Sequence, residues 1–188
     1  MSDDIRSLVD RGLDFFGDAV RRVTGDEWNA ATPCEGWNVR ELVGHVVGVL
    51  GIARSVLDGG ALAGSLAPAE VDGDPVAAWE DVAGRVRELL VGVDLSEERD
   101  TVLGRHTVAF SLSFPAMDLF LHTWDLGRAL GREVRLPDDV VAWIDGFVRR
   151  LPPERLRGPR TFGPEQPAPP DADPTTRLMA FLGRRVAG

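Results

Sequence analysis

Residues 42–52 read Leu-Val-Gly-His-Val-Val-Gly-Val-Leu-Gly-Ile, a run that is apolar nearly all the way round. Eleven residues are too few to cross a bilayer, so such a run belongs in a protein core. Asn38 precedes it with Glu41 three residues on, the spacing of a capping box, which predicts a helix over about residues 39–57. A helix without a polar face must be covered on every side, and the covering has to come from other helices. Gly44, Gly48 and Gly51 each give up helix propensity, and the expected return is close approach of a neighbouring helix or of a bound group. His45 is the only titratable side chain in the run.

The rest of the chain supplies the cover. Ile5, Leu8, Val9, Phe16, Val20 and Val23 recur at three- and four-residue spacing and predict an amphipathic helix over residues 3–23. Asp74 and Pro75 open a third helix with Trp79, Val82, Val86, Leu89 and Leu90 on its inner face. Ser113 and Pro115 read as the cap and first turn of a fourth, which Gly131 ends in the left-handed conformation. Beyond Pro137 a helix carries Val140, Val141, Ile144, Phe147, Val148 and Leu151, and Asp173-Pro174 starts a short last one. Residues 58–74 read as a surface loop. Residues 92–112 read mostly as coil, with Thr101–Gly104 and Thr107–Phe110 as short extended pieces or a structured loop. The Pro-rich stretch 152–172 is expected to be irregular and to wrap over the rest. These patterns predict an all-α fold, a four-helix bundle in a single domain spanning residues 1–188 with a short C-terminal helix.

The formal charge of −9 and the lack of any basic run argue against nucleic acid as a partner. A single cysteine excludes an internal disulfide framework and fits a reducing compartment. With no signal-like N-terminus and no apolar run of membrane length, the expected location is the cytoplasm, away from membranes. All the basic residues are arginine, as suits a GC-rich bacterial genome. Nothing in the sequence chooses between a monomer and a homodimer.

Chemistry concentrates on the fourth helix. At 100° per residue Asp118, His122 and Asp125 share one stripe, bracketed by Met117, Leu121 and Trp124 on one flank and Leu119, Leu126 and Leu130 on the other. Asp118 and His122, four apart, can converge on one ion, and His45 from another buried helix is the natural third ligand. Two imidazoles and a carboxylate with open positions suit Zn²⁺, Fe²⁺ or Ni²⁺ in a reactive site. Asp125 would accept the remaining N–H of a ligating histidine and fix its tautomer. The plainer reading is that Asp118 and His122 form only an ion pair and that His45 is a core residue. Trp37 and Trp124 are candidates for the walls of a pocket. Cys34, between Pro33 and Trp37, reads as a small packing residue rather than a reactive thiol, and His106 as a surface histidine. No Ser-His-Asp arrangement is present in the sequence pattern.

Three stretches in this order carry a resemblance: Thr32-Pro33-Cys34-Glu35-Gly36-Trp37-Asn38 through Gly44-His45, Asp118 through His122-Thr123-Trp124-Asp125-Leu126, and Asp173-Pro174 through Arg184. Together they resemble the actinobacterial metal-binding family related to mycothiol-dependent maleylpyruvate isomerase, within the DinB/YfiT-like superfamily. The resemblance implies a four-helix bundle with one divalent metal on His45, Asp118 and His122. The isomerase is similar but carries Glu where this chain has Asp118, a shorter arm. The implied chemistry is a metal-activated thiolate of mycothiol or another low-molecular-weight thiol, acting on a small electrophile as an S-transferase or isomerase. A metal-dependent binding or sensing module without turnover is the alternative, and a structural bundle without metal the second.

Overall fold

A computed structural model of the protein describes residues 2–60, 67–101, 104–158 and 161–186. They form two compact units, Met1–Arg132 and Glu133–Gly188. The first is a four-helix bundle of α1 (Ser2–Val20), α2 (Val39–Leu57), α3 (Pro75–Gly92) and α4 (Val108–Ala129). A 3₁₀ turn at Gly25–Asn29 lies between α1 and α2, and a hairpin of β1 (Glu98–Thr101) and β2 (Gly104–Thr107) between α3 and α4. Helix α1 packs on α3 and α4, and α2 packs on α3 and α4. None of the described helices is long and apolar enough to cross a membrane.

The bundle core follows the apolar spacing. Ile5, Leu8, Val9, Leu13, Phe16 and Val20 of α1 are all buried, as are Leu42, Val43, Val46, Val49 and Leu50 of α2. Phe16 meets Trp79 of α3 with ring centroids 4.8 Å apart. On the rim of the same pair of helices Arg87 of α3 reaches Asp10 and Asp14 of α1. The start of α2 is fixed as its cap residues dictate: Asn38 Oδ1 accepts from Glu41 N at 2.9 Å, and Glu41 Oε2 accepts from Asn38 N at 2.8 Å.

Helix α4 begins earlier than the sequence pattern indicates. Thr107, not Ser113, is its cap, accepting Phe110 N at 3.1 Å on Oγ1, so Pro115 lies inside the helix rather than in its first turn. Val108, Ser111 and Leu112 are buried there, and their packing outweighs the hydrogen bond that proline cannot give. Residues 98–101 and 104–107 pair as antiparallel strands instead of coil, with Glu98 opposite Thr107 and Thr101 opposite Gly104. Val108–Phe110, expected as a short extended piece or a structured loop, are the first turn of α4. Val102 and Leu103 lie outside the described residues. At the other end Gly131, φ +65°, lets Arg132 N reach Gly127 O at 2.8 Å and closes the helix as expected.

Two of the three glycines of α2, Gly44 and Gly48, face a loop and not a helix. Ala69 N donates to Gly44 O at 3.3 Å, and a side chain on Gly44 would meet Ala69 O; a Cβ on Gly48 would touch Ala69 Cβ, while one on Gly51 would meet none of the described residues. Of the loop at 58–74, residues 61–66 lie outside the described set.

The second unit contains α5 (Asp138–Val148), α6 (Pro153–Leu156) and α7 (Pro174–Phe181), with α5 packed on α7. The Pro-rich stretch is therefore not wholly irregular, since Pro153 opens one helical turn and Arg157 bridges to Phe162. Asp173 caps α7 as expected, accepting from Thr176 N at 3.2 Å and Thr176 Oγ1 at 2.6 Å. Arg149 and Arg157 hold their guanidinium groups 4.2 and 4.8 Å from the Phe181 ring centre.

Candidate metal centre

The packing of α2 on α4 brings His45 to the stripe on α4 that holds Asp118, His122 and Asp125. One ligand atom each from His45, Asp118 and His122 lies within 4.8 Å of the others. The imidazoles of His45 and His122 stand edge to face, centroids 4.8 Å apart. His45 Nε2 and Asp118 Oδ2 are 3.6 Å apart. That is longer than a hydrogen bond and near the roughly 3.4 Å that separates two N or O ligands of a tetrahedral ion. Both histidines are buried, and Asp118 keeps a fifth of its side chain exposed, which leaves a way in from solvent.

Asp125 is fully buried and sits one turn further along α4. Its Oδ2 is 2.9 Å from His122 Nδ1. The carboxylate is an acceptor, so Nδ1 is the donor, and Nε2 is the nitrogen left to ligate an ion. His122 is thus partnered by Asp125, while the carboxylate of Asp118 faces His45. An ion pair between Asp118 and His122 alone does not describe this arrangement. The donor set, two imidazoles and a carboxylate with a hydrogen-bonded ligand behind, fits a borderline divalent cation such as Zn²⁺, Ni²⁺ or Fe²⁺.

The segment before α2 closes one side. Ala31 and Asn38 pair as a β-bridge, Trp37 N donates to Cys34 O at 3.0 Å, and Gly36 takes φ +80° to make the turn. The turn lays the Trp37 ring on His45, centroids 4.8 Å apart, and 6.4 Å from that of His122. It also brings Cys34 to α4, with Sγ 3.4 Å from Asp125 Oδ2 and 3.9 Å from His122 Nδ1. Cys34, His122 and Asp125 form a second group of convergent metal-type ligands. Reading Cys34 as a packing residue missed this contact. The turn residue Gly36 two positions on, just ahead of a capped helix that carries a ligand, is the signal that could have found it.

Trp124 and His106 each have an aromatic contact of their own. Trp124 is buried, with the Arg128 guanidinium 5.6 Å from its ring centre. His106 is not a freely solvated surface histidine, since on β2 its ring stacks on Phe110 at 4.1 Å, and it is only partly exposed.

Comparison with known proteins identifies the family and the fold. The family model described as the mycothiol maleylpyruvate isomerase N-terminal domain matches residues 9–127, more than half of the chain and all of the residues around the site. Two uncharacterized proteins of Mycobacterium tuberculosis, from strains CDC 1551 and H37Rv, are each 29% identical over 178 residues, covering 94% of this chain and 95% of their own. Among solved structures, the mycothiol-dependent maleylpyruvate isomerase superposes with a TM-score of 0.60 at 15% identity, over 79% of this chain and 69% of its own. A histidine-to-alanine mutant of that isomerase gives 0.63 at 13% identity, over 84% and 73%. At these identities the structures show the helical, DinB-like fold.

Proposed function

The chain belongs to the mycothiol maleylpyruvate isomerase N-terminal domain family, and from that premise we propose that it is a divalent-metal protein that uses a low-molecular-weight thiol, of the mycothiol type, to transform a small electrophile. The observation that carries the proposal is the convergence of His45, Asp118 and His122 on one point between α2 and α4. These three residues would hold the ion. A cation bound there supplies positive charge that keeps a thiol deprotonated at neutral pH.

The chain's own residues set the conditions for that chemistry. Asp125 accepts the Nδ1 proton of His122 and so turns the Nε2 lone pair toward the other two ligands. Trp37 covers His45 and limits the water that reaches it. The exposed part of Asp118 marks the open side, where thiol and electrophile would enter. A thiolate held at that opening can displace a leaving group from the electrophile, forming a C–S bond as the leaving group departs with its electron pair. It can also add to a conjugated double bond, permit rotation about the resulting single bond, and leave again, so that thiol and isomerised product are both returned.

Metal analysis of the purified protein, beside His45→Ala and His122→Ala, tests the ligands. Near-stoichiometric Zn, Ni or Fe in the parent and loss in both variants is expected; no metal in any of them, even after reconstitution, would overturn the proposal. Thiol-stimulated turnover of activated alkenes and halides tests the chemistry, and should fall by at least about a hundredfold in His122→Ala. Stoichiometric metal with no turnover of any thiol and electrophile pair would make the protein a metal-binding module instead.

A further inference from the structure

The turn at residues 32–37 is built with more care than a surface connection needs. Thr32 Oγ1 lies 2.9 Å from Trp37 O and 3.2 Å from both Cys34 O and Cys34 N, tying the turn to its own backbone. The result is that Cys34 Sγ meets the same oxygen of Asp125 that pairs with His122 Nδ1, at 3.4 and 2.9 Å. Asp125 Oδ2 is an acceptor with two lone pairs, and an imidazole N–H and a thiol S–H both lie within reach of it. Because Asp125 is fully buried, its carboxylate oxygen cannot rely on water to hold it in place.

We infer that Cys34 is a positioning residue: its S–H donates to Asp125 Oδ2 and, through that carboxylate, fixes the orientation and tautomer of His122. Cys34 neither attacks a substrate nor binds the ion in this arrangement. Its sulfur acts on His122 through Asp125, a residue 91 positions along the chain from Cys34. The inference rests on His122 being a metal ligand, as proposed above.

The test uses the full chain as Cys34→Ala, Cys34→Ser and Asp125→Asn, with Cys34→Ala also made in the Asp125→Asn background. Partners directly behind a ligating histidine are worth about 10–100-fold in metal affinity. One link further out, Cys34→Ala should weaken Zn²⁺ binding by about three- to tenfold, measured by competition with a chelator. Cys34→Ser keeps a donor and should return to within about twofold of the parent. In the Asp125→Asn background Cys34→Ala should add less than about twofold, since the path it acts through is already broken.

Nitrogen-15 NMR of the metal-free proteins reads the His122 tautomer directly, and should show it shifted in Cys34→Ala and restored in Cys34→Ser. Equal losses in the alanine and serine variants, additive losses with Asp125→Asn, or an unmoved His122 signal would each overturn the inference. So would an ultraviolet thiolate-to-cadmium band in the Cd²⁺ protein that disappears in Cys34→Ala, because Cys34 would then be a ligand. If the parent binds no metal, the ligand proposal fails, and the NMR comparison still decides whether Cys34 governs His122.

Discussion

A methyl group on Gly44 would overlap the carbonyl oxygen of Ala69, and the same methyl on Gly51 would meet nothing within 4 Å among the described residues. Both glycines are in α2, so both substitutions gain about 1 kcal/mol of helix propensity. At Gly44 that gain opposes an overlap with backbone, which can yield only by moving the loop, at a cost of about 1–3 kcal/mol or more. Gly44→Ala is therefore expected to lower the denaturation midpoint and Gly51→Ala to raise it. Equal shifts in the two variants would show that Ala69 does not press on α2. The residue next to Gly44 is His45, so loosening the loop also loosens the backbone that presents a ligand, and Gly44→Ala should weaken metal binding where Gly51→Ala leaves it unchanged. At this scale the sequence is informative about type and silent about partner. The three glycines stand out in an apolar helix, yet only the fold reveals that two of them face a loop and that the third meets none of the described residues.

The short helix α7 depends on its cap. Burial pushes the Asp173 carboxyl up, but the Thr176 hydroxyl, the backbone N–H groups of Thr176 and Thr175 and the charge of Arg135 together hold it below the usual carboxylate range. A depressed folded-state value stabilises the fold above the ordinary carboxylate pKa of about 4, and the contribution is lost as pH falls through the depressed value. Asp173→Ala should cost about 1 kcal/mol at neutral pH, a typical cap loss, and the gap between parent and variant should close in acid. A gap independent of pH in thermal melts from neutral down to acid would show that the charge on Asp173 is not what caps the helix. Caps of this kind made the elements legible: Asn38 with Glu41, Asp74 with Pro75 and Asp173 with Pro174 each open a helix where their chemistry says. The start of α4 was hidden because Pro115 mimics a first turn, whereas burial of Val108, Ser111 and Leu112 carries the helix back to Thr107. The β1–β2 hairpin was hidden because four-residue strands with charged side chains show no apolar alternation. Within α4 the grouping of Asp118, His122 and Asp125 follows from helical period. The approach of Cys34 to Asp125 does not, since contacts across a long sequence separation leave no local pattern.

For the whole molecule, every residue proposed to bind or orient the metal lies in the unit Met1–Arg132, and the matched family region, residues 9–127, falls inside the same unit. An ion that binds only the folded state must therefore stabilise that unit by mass action, by about 2.7 kcal/mol at a free concentration a hundred times Kd. In a chain of this size that corresponds to a rise of roughly 5–10 °C in Tm. The net charge of −9 supplies a competing effect, because an acidic surface attracts any divalent cation weakly. The two effects separate by ligand chemistry. Surface carboxylates offer only oxygen, which Mg²⁺ accepts as readily as Zn²⁺, whereas a site with two imidazoles selects Zn²⁺ or Ni²⁺ strongly over Mg²⁺. Thermal melts of the chelator-treated protein should thus rise on adding Zn²⁺ or Ni²⁺ at a few equivalents, stay put with Mg²⁺ at the same concentration, and rise with neither in His122→Ala. A Tm indifferent to Zn²⁺, or a rise that His122→Ala retains in full, would mean that the added ion stabilises the chain somewhere other than between α2 and α4.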